Sequence, residues 1–94
     1  MLGSLKYDEA RSYAANMRES AKAMTDLLAE LKKEMDSLES VLKSKGADEL
    51  YSTYKTLEAK VGSYPEKVIE FASFLESTVA KYEYADQTLQ NSVN

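Results

Sequence analysis

Two long apolar stripes, one on each side of Gly46, constrain the fold of this chain more than any other feature of its sequence. Each stripe advances by alternating steps of four and three residues, a spacing that keeps its members on one side of an α-helix. The stripe of the first half comprises Ala10, Ala14, Met17, Ala21, Met24, Leu28, Leu31, Met35, Leu38 and Leu42. The stripe of the second half comprises Leu50, Tyr54, Leu57, Val61, Tyr64, Val68, Phe71, Leu75, Thr78 and Tyr82.

The two stripes predict an all-α antiparallel two-helix hairpin that reverses near Gly46. If the chain turns there, residues whose numbers sum to 92 lie opposite each other. Ala21 then faces Phe71 and Ala10 faces Tyr82, and small residues against large ones allow dense packing. We expect one domain over residues 1–94, with helix 1 at about 7–43, a turn at 44–47, helix 2 at about 48–87 and a flexible tail at 88–94.

Local signals place the turn and one irregularity in helix 2. Gly46 can take the left-handed conformation that ends many helices. Pro65 lacks the amide that would bond the carbonyl of Val61, and it restricts the residue before it. The segment 62–65 therefore predicts a kink near Pro65 in an otherwise continuous second helix.

A two-helix rod of this length cannot shield its apolar side chains from water on all sides. Pairing of two hairpins into a four-helix bundle is the usual solution, and apolar residues beside the stripes indicate a second partner. We expect a helical protein as that partner, in a homodimer or a heterodimer. Six residues are the predicted partner interface: Tyr13, Leu27, Val41, Tyr51, Phe74 and Val79.

Composition argues against several classes of function. The net charge of −4 repels a nucleic-acid backbone. The chain has no His and no Cys, so imidazole bases, thiolate nucleophiles and the zinc ligands of helical bundles are missing. We therefore expect no enzymatic activity, cofactor, metal, nucleic acid or small-molecule substrate. Neither a signal-peptide pattern nor an apolar run of about eighteen residues occurs, so we expect no export by the general secretory route.

Length, hairpin and a C-terminal motif together carry a family resemblance. The chain has 94 residues, Gly46 at the turn, and Tyr82 followed by Asp86 near the end of helix 2. With these features, its opening segment 5–12 and the segment 65–75, it resembles the WXG-motif (ESAT-like) superfamily of small type VII secretion proteins from Gram-positive bacteria. The resemblance implies that Tyr82 and Asp86 form a Tyr-x-x-x-Asp export signal and that the secretion ATPase is a partner. It also implies secretion without a signal peptide, from the cytoplasm.

The pairing register bears on this motif. Tyr82 and Ala10 form the last pair of stripe positions, so Asp86 lies past the expected start of helix 1. We therefore expect the carboxylate of Asp86 to be accessible for docking on another protein.

One departure from the family narrows the resemblance. The family's turn carries Trp-x-Gly, whereas this chain has Ser44-Lys45-Gly46 and no tryptophan. In the family, the export motif of one subunit joins the turn tryptophan of its partner, so a self-dimer of this chain could not complete that signal. The chain is thus similar to a Trp-less subgroup of helical proteins that accompany LXG toxins and bind the toxin's N-terminal helical domain. The alternative is a cytoplasmic coiled-coil adaptor or chaperone that acts as a homodimer.

Overall fold

The computed structural model describes residues 4–42 and 45–93, and these form three α-helices. Helix α1 spans Ser4–Leu42, α2 spans Lys45–Val61 and α3 spans Tyr64–Val93. Helix α1 packs against both α2 and α3, which together form the second arm of a hairpin. No β-strand occurs within these residues. The prediction of an all-α helical hairpin is confirmed.

The helix bounds differ from the sequence expectation at the ends and at the turn. Helix α1 begins at Ser4 rather than near residue 7. Helix α2 already begins at Lys45, so Gly46 lies in its first turn. Of the turn expected at 44–47, Gly46 and Ala47 are thus helical, while Ser44 and the expected end of helix 1 at residue 43 lie outside the described residues. Helix α3 continues to Val93, across a segment where the sequence predicts a tail, because no Gly or Pro interrupts it there.

The second arm is interrupted at residues 62 and 63. The amide of Gly62 donates to the carbonyl of Glu58 at 2.8 Å, and the amide of Lys67 donates to the carbonyl of Ser63 at 3.2 Å. Pro65 occupies the first turn of α3, where a helix leaves its amides without helical partners in any case. The prediction of a kink near Pro65 is confirmed, and α2 and α3 are separate helices on either side of it.

A row of mostly small side chains forms the contact between α1 and α3. Its least exposed members share a seven-residue spacing on each helix: Tyr7, Ala14 and Ala21 on α1, and Ala72 and Val79 on α3. The hydroxyl of Tyr7 donates a hydrogen bond to the carboxylate of Asp86, which extends the row on α3 by another seven residues. The residue numbers of facing positions in this row therefore add up to 93, and Ala21 lies opposite Ala72.

Two ion pairs lie on one side of this contact row. Arg11 pairs with Glu83 at 2.5 Å, and Arg18 pairs with Glu76 at 2.6 Å. Each guanidinium reaches both oxygens of its carboxylate, a geometry that makes the pair directional. Hydrogen bonds from Arg18 lower the pKa of Glu76, and the pKa of each arginine is raised by its carboxylate partner. These pairs add a small stabilisation to this register of α3 against α1.

The register predicted from the stripes is wrong for α3. Phe71 and Tyr82 are 57% and 60% exposed, so neither fills the space opposite Ala21 or Ala10. Helix α3 is rotated by part of a turn and places its Ala72 row against α1 instead. Contact between alanines brings the two backbones close, and this proximity lets the Arg–Glu pairs form beside them. Phe71 and Tyr82 of the stripe remain outside this contact.

The hairpin is long and thin. Its principal extents are 76 × 17 × 12 Å and its radius of gyration is 21.6 Å, whereas a compact domain of this length has a radius of gyration of about 12 Å. It exposes 7233 Å² of surface, and a compact monomer of the same mass exposes about 5,400 Å². Two helices therefore leave large side chains uncovered along the rod.

Candidate partner-binding face and C-terminal motif

One side of the hairpin carries a continuous set of exposed apolar side chains. On the second arm these side chains recur every seven residues. On α1 they form two neighbouring rows, with spacings of fourteen residues in each. Both spacings keep a row on one side of its helix. We name these residues the open face: Tyr13, Met24, Leu27, Leu38 and Val41 of α1, with Leu50, Leu57, Tyr64 and Phe71 of the second arm. Their exposed fractions range from 36% to 76%.

The open face and the ion pairs lie on opposite sides of the contact row. On α1, Arg18 follows the buried Ala14 by four residues, whereas Met24 follows the buried Ala21 by three. On a helix, the residue four positions after a contact residue and the residue three positions after it lie on opposite sides of the contact row. The hairpin is therefore polar and ion-paired on one side, and apolar and uncovered on the other.

Side chains of both arms line an apolar cleft in the open face. The cleft has a volume of about 410 Å³, and its lining residues are Met17 and Met24 of α1 with Tyr64, Lys67, Val68 and Phe71 of α3. Phe71 also contacts Phe74, at a ring-centroid distance of 6.4 Å. Because methionine side chains adapt their shape to an incoming group, this cleft can accept a bulky apolar side chain.

The six residues predicted as a partner interface fall into two groups. Four are exposed: Tyr13, Leu27, Val41 and Phe74, at 64%, 70%, 76% and 65%. Tyr51 is half-buried and Val79 is 6% exposed. Val79 needs a correction, because the rotation of α3 places its side chain inside the hairpin, against α1. Sequence reasoning missed Leu57, Tyr64 and Phe71 as surface residues, since it assigned them to the contact between the arms.

Charged residues of opposite sign border the open face along its two edges. The edge on the second arm is basic, with exposed Lys60, Lys67 and Lys81. The edge on α1 is mainly acidic, with exposed Glu9, Glu30 and Glu34, and Lys6 pairs with Glu9 at 3.7 Å. The lysines of the second arm recur at multiples of seven residues, with Phe74 in the remaining position of that row. A partner that covers the open face therefore meets one basic and one acidic border.

The two members of the C-terminal motif have different surroundings. Tyr82 is 60% exposed, whereas Asp86 is half-buried and accepts the hydrogen bond from Tyr7. This bond raises the pKa of Tyr7 to about 12. The expectation that Asp86 lies past the start of helix 1 is wrong, because α1 begins at Ser4 and the register differs from the predicted one. Sequence reasoning missed the contribution of Tyr7, although its position seven residues before Ala14 is a signal that it belongs to the contact row.

Tyrosine and acidic side chains also form a local contact in α2. Tyr54, also buried, donates to Glu58 at 2.6 Å, and this bond raises the pKa of Tyr54 to about 12. Within residues 4–42 and 45–93, no cluster of three or more acidic side chains could hold a metal ion, and no buried side-chain polar atom lacks a hydrogen-bond partner. The open face and the C-terminal motif are therefore the surfaces that remain to be explained.

None of the described helices combines the length and the apolar character needed to span a bilayer.

These features define a small helical protein that works by association: a thin hairpin, an uncovered apolar face and a C-terminal aromatic–acidic motif. Comparison with protein families gives a match to WXG100, described as proteins of 100 residues with WXG, over residues 4–87. No match is found among curated proteins or solved structures. The chain belongs to the WXG100 family and is a small helical protein related to type VII secretion. Proteins of this family typically form helical dimers and are generally non-enzymatic.

Proposed function

We propose that this protein is a type VII secretion substrate or targeting partner. It pairs with a second helical protein through the open face and presents a Tyr-x-x-x-Asp export signal made by Tyr82 and Asp86. The observation that carries the proposal is the open face, a set of large apolar side chains left uncovered along one side of a hairpin of the WXG100 family. Such a protein binds its partner and catalyses no reaction.

The amount of uncovered surface supports stable pairing. The chain exposes 7233 Å², which is about 1,800 Å² more than a compact monomer of its mass. A standard protein interface buries about 800 Å² on each partner. Aromatic and methionine side chains such as Phe71, Tyr64 and Met24 are the kind of anchor that dominates binding at the centre of an interface. A second hairpin laid on this face completes a four-helix bundle.

The missing tryptophan supports a partner other than a second copy of this chain. The family resemblance implies an export signal that the partner's turn tryptophan completes, and this chain carries Ser44-Lys45-Gly46 at that place. We propose the N-terminal helical domain of an LXG toxin as the partner, because it offers a long helical surface to the open face. In that complex, the protein accompanies the toxin to the type VII secretion ATPase.

Export from the native host tests the secretion role. Tagged wild-type protein and an Asp86→Ala variant are quantified in cells and in culture medium, with the type VII ATPase present and deleted. We expect wild-type protein in the medium only when the ATPase is present, and little Asp86→Ala protein there. Asp26→Ala, which changes an exposed aspartate of α1, is the matched control and should be exported normally. Wild-type protein retained in cells that still export a neighbouring toxin would contradict the role.

The proposed partner is tested with the purified proteins. We expect the gene beside this one to encode a long toxin, and its N-terminal domain to co-purify with this protein as a defined complex. Phe71→Glu, in the cleft of the open face, should abolish the complex. A toxin domain that binds the Phe71→Glu variant as well as wild type would exclude the open face as its binding site.

A cytoplasmic adaptor or chaperone acting as a homodimer is the second candidate, and the charged edges favour it. If two copies stack face to face with their α1 helices parallel, α1 of each copy lies beside the second arm of the other. Because residues at the same height sum to 93, Lys60 then lies near Glu30 and Glu34, and Lys81 lies near Glu9. In this arrangement, opposite charges meet at both edges. If the α1 helices of the two copies ran antiparallel, the two acidic edges would lie together instead.

Mass in solution and location distinguish the two candidates. A stable dimer of this chain alone, retained in the cell, supports the adaptor. A monomer that forms a complex with the toxin domain and leaves the cell with it supports the secretion role.

A further inference from the structure

The bond between Tyr7 and Asp86 connects the proposed export motif to the opposite end of the chain. We propose that Tyr7 is a positioning residue for export: it holds Asp86 against the start of α1, and Asp86 acts in export through this bond rather than by contact with the secretion machinery. The inference rests on the proposed function, since it concerns how the same motif works.

The geometry of the Tyr7–Asp86 bond supports this role. It joins residues 79 positions apart, so it ties the beginning of α1 to the last turns of α3. Tyr7 is 3% exposed, which fixes its ring between the two helices. A buried phenol hydroxyl requires an acceptor, and Asp86 supplies it. The bond raises the pKa of Tyr7 to about 12, so the hydroxyl remains a donor even at alkaline pH.

A second contact joins the same two helices, on the opposite side of the contact row from Tyr82. Arg11, one helical turn after Tyr7, bonds both oxygens of Glu83 at 2.5 and 3.2 Å. Helix ends fray unless contacts hold them, and these two contacts hold the part of α3 that carries the motif. The Tyr7 bond is the one that reaches Asp86 itself.

The two motif residues are consequently presented differently. Tyr82 and Asp86 are four residues apart and share one side of α3, yet Tyr82 is 60% exposed while the carboxylate of Asp86 is engaged. A receptor therefore meets the ring of Tyr82 on a docked helix. A receptor that took Oδ2 of Asp86 as its own acceptor would break the bond to Tyr7 and leave the buried hydroxyl without an acceptor.

Three substitutions in the full chain distinguish positioning from direct recognition. Tyr7→Phe keeps the ring and removes the donor, Asp86→Asn keeps an oxygen acceptor and removes the charge, and Asp86→Ala removes both. If Asp86 works through Tyr7, export of Asp86→Asn stays near the wild-type level. Tyr7→Phe and Asp86→Ala then lose export to the same extent, and the double variant is no worse than either. Tyr84→Phe, which changes a tyrosine that is 72% exposed on the far side of α3 from α1, is the matched control and should be exported normally.

Amide hydrogen exchange of the purified variants reports on the same bond without export. We expect faster exchange in α3 from Tyr82 onward in Tyr7→Phe and in Asp86→Ala, with unchanged exchange at the centre of the hairpin. Asp86→Asn should retain most of the wild-type protection. These measurements also verify that a variant lost from the medium is still folded.

Other outcomes overturn the inference. Normal export of Tyr7→Phe, or loss of export in Asp86→Asn equal to that in Asp86→Ala, would mean that the machinery reads the carboxylate itself. The proposed function would survive either result. It fails separately if Asp86→Ala is exported like wild type or if export does not need the ATPase.

Discussion

Three alanines determine how closely the arms of the hairpin approach. Ala14, Ala21 and Ala72 are fully buried in the contact row, and protein interiors leave little room for added atoms. The short distance between the helices in turn lets Arg18 reach both oxygens of Glu76 from across the contact. The ion pair between Arg18 and Glu76 thus depends on the small size of the residues in the contact row.

A larger side chain in this row should separate the arms. We expect Ala21→Leu to lower the free energy of unfolding by about 1–3 kcal/mol, because the added atoms meet Ala72 across the contact. Urea unfolding followed by circular dichroism measures the change. Ala23→Leu, at an exposed position of the same helix, is the control and should leave stability nearly unchanged. Equal stability of both variants would mean that Ala21 does not lie in the contact.

The ion pair of Arg18 and Glu76 should make part of the stability depend on pH. Hydrogen bonds from Arg18 lower the pKa of Glu76 below its ordinary value of 4.5. A carboxyl with a lowered folded-state pKa stabilises the fold above its unfolded pKa, and this contribution disappears as the pH falls through the folded value. The side chains are 41% and 40% exposed, so solvent screens the pair, and the effect is small and weakens with added salt.

Glu76→Gln tests this dependence by removing the titrating group. We expect the stability of the variant to fall less than that of wild type on acidification below about pH 5, measured by urea unfolding at low salt. Glu70→Gln, at an exposed position of α3, should keep the wild-type profile. Parallel profiles for Glu76→Gln and wild type would show that the pair does not contribute in solution.

At the scale of whole helices, the width of the apolar stripes limits what the sequence can predict. Two antiparallel arms and the interruption near Pro65 follow from local signals, namely helical periodicity and residues that break helices. Periodicity cannot decide whether the Phe71 row or the Ala72 row faces α1, because the two rows are adjacent and both apolar. The long-range bonds of Arg11 and Arg18 to α3 contribute to that choice.

The candidate site shows the same limit. The exposed positions of Tyr13 and Leu27 could be predicted because these residues lie beside the stripe of α1. Phe71 was assigned to the hairpin contact and lies in the open face. The engagement of Asp86 by Tyr7 depends on where α1 begins and on a small shift in register, which no local pattern encodes.

The interruption between α2 and α3 depends on Gly62. A Cβ atom there would lie 2.7 Å from the carbonyl oxygen of Glu58, the same oxygen that accepts the bond of the Gly62 amide. We expect Gly62→Ala to lower the free energy of unfolding by more than about 1 kcal/mol, although Gly→Ala stabilises an ordinary helix. Thermal unfolding followed by circular dichroism measures it.

Ser77→Ala, at an exposed position inside α3, is the control for this change. Alanine is a good helix former, so stability equal to or slightly above that of wild type is expected for this variant. A gain of stability and helix content in Gly62→Ala would mean that α2 and α3 form one continuous helix in solution.

The whole molecule has the dimensions of half a helical bundle. A rod with extents of 76 × 17 × 12 Å is too thin to bury side chains on both of its sides, and it uses the ion-paired side and the contact row to hold itself together. The open face is left for a partner along the length of the hairpin. Its opposite-signed borders mean that the orientation of that partner is selected by charge as well as by shape.

Association should therefore fail when a charge is placed in the cleft of the open face. Phe71 is 57% exposed and lines the cleft with Tyr64 and Met24, so any complex that covers the face would lose the aromatic ring and would have to remove a carboxylate from water. We expect Phe71→Glu to keep the helix content of wild type and to weaken association by at least about tenfold, which corresponds to about 1.4 kcal/mol.

Sedimentation over a range of concentrations measures this effect, on the protein alone and with the toxin domain. Tyr84→Glu is the matched control: Tyr84 is 72% exposed, and its position five residues after Val79 places it on the far side of α3 from α1. We expect this variant to associate like wild type. Equal association of Phe71→Glu and wild type would remove the open face as the interface. Wild-type protein that stays monomeric in both samples would contradict pairing itself, because a surface this apolar would then have no occupant among the partners proposed.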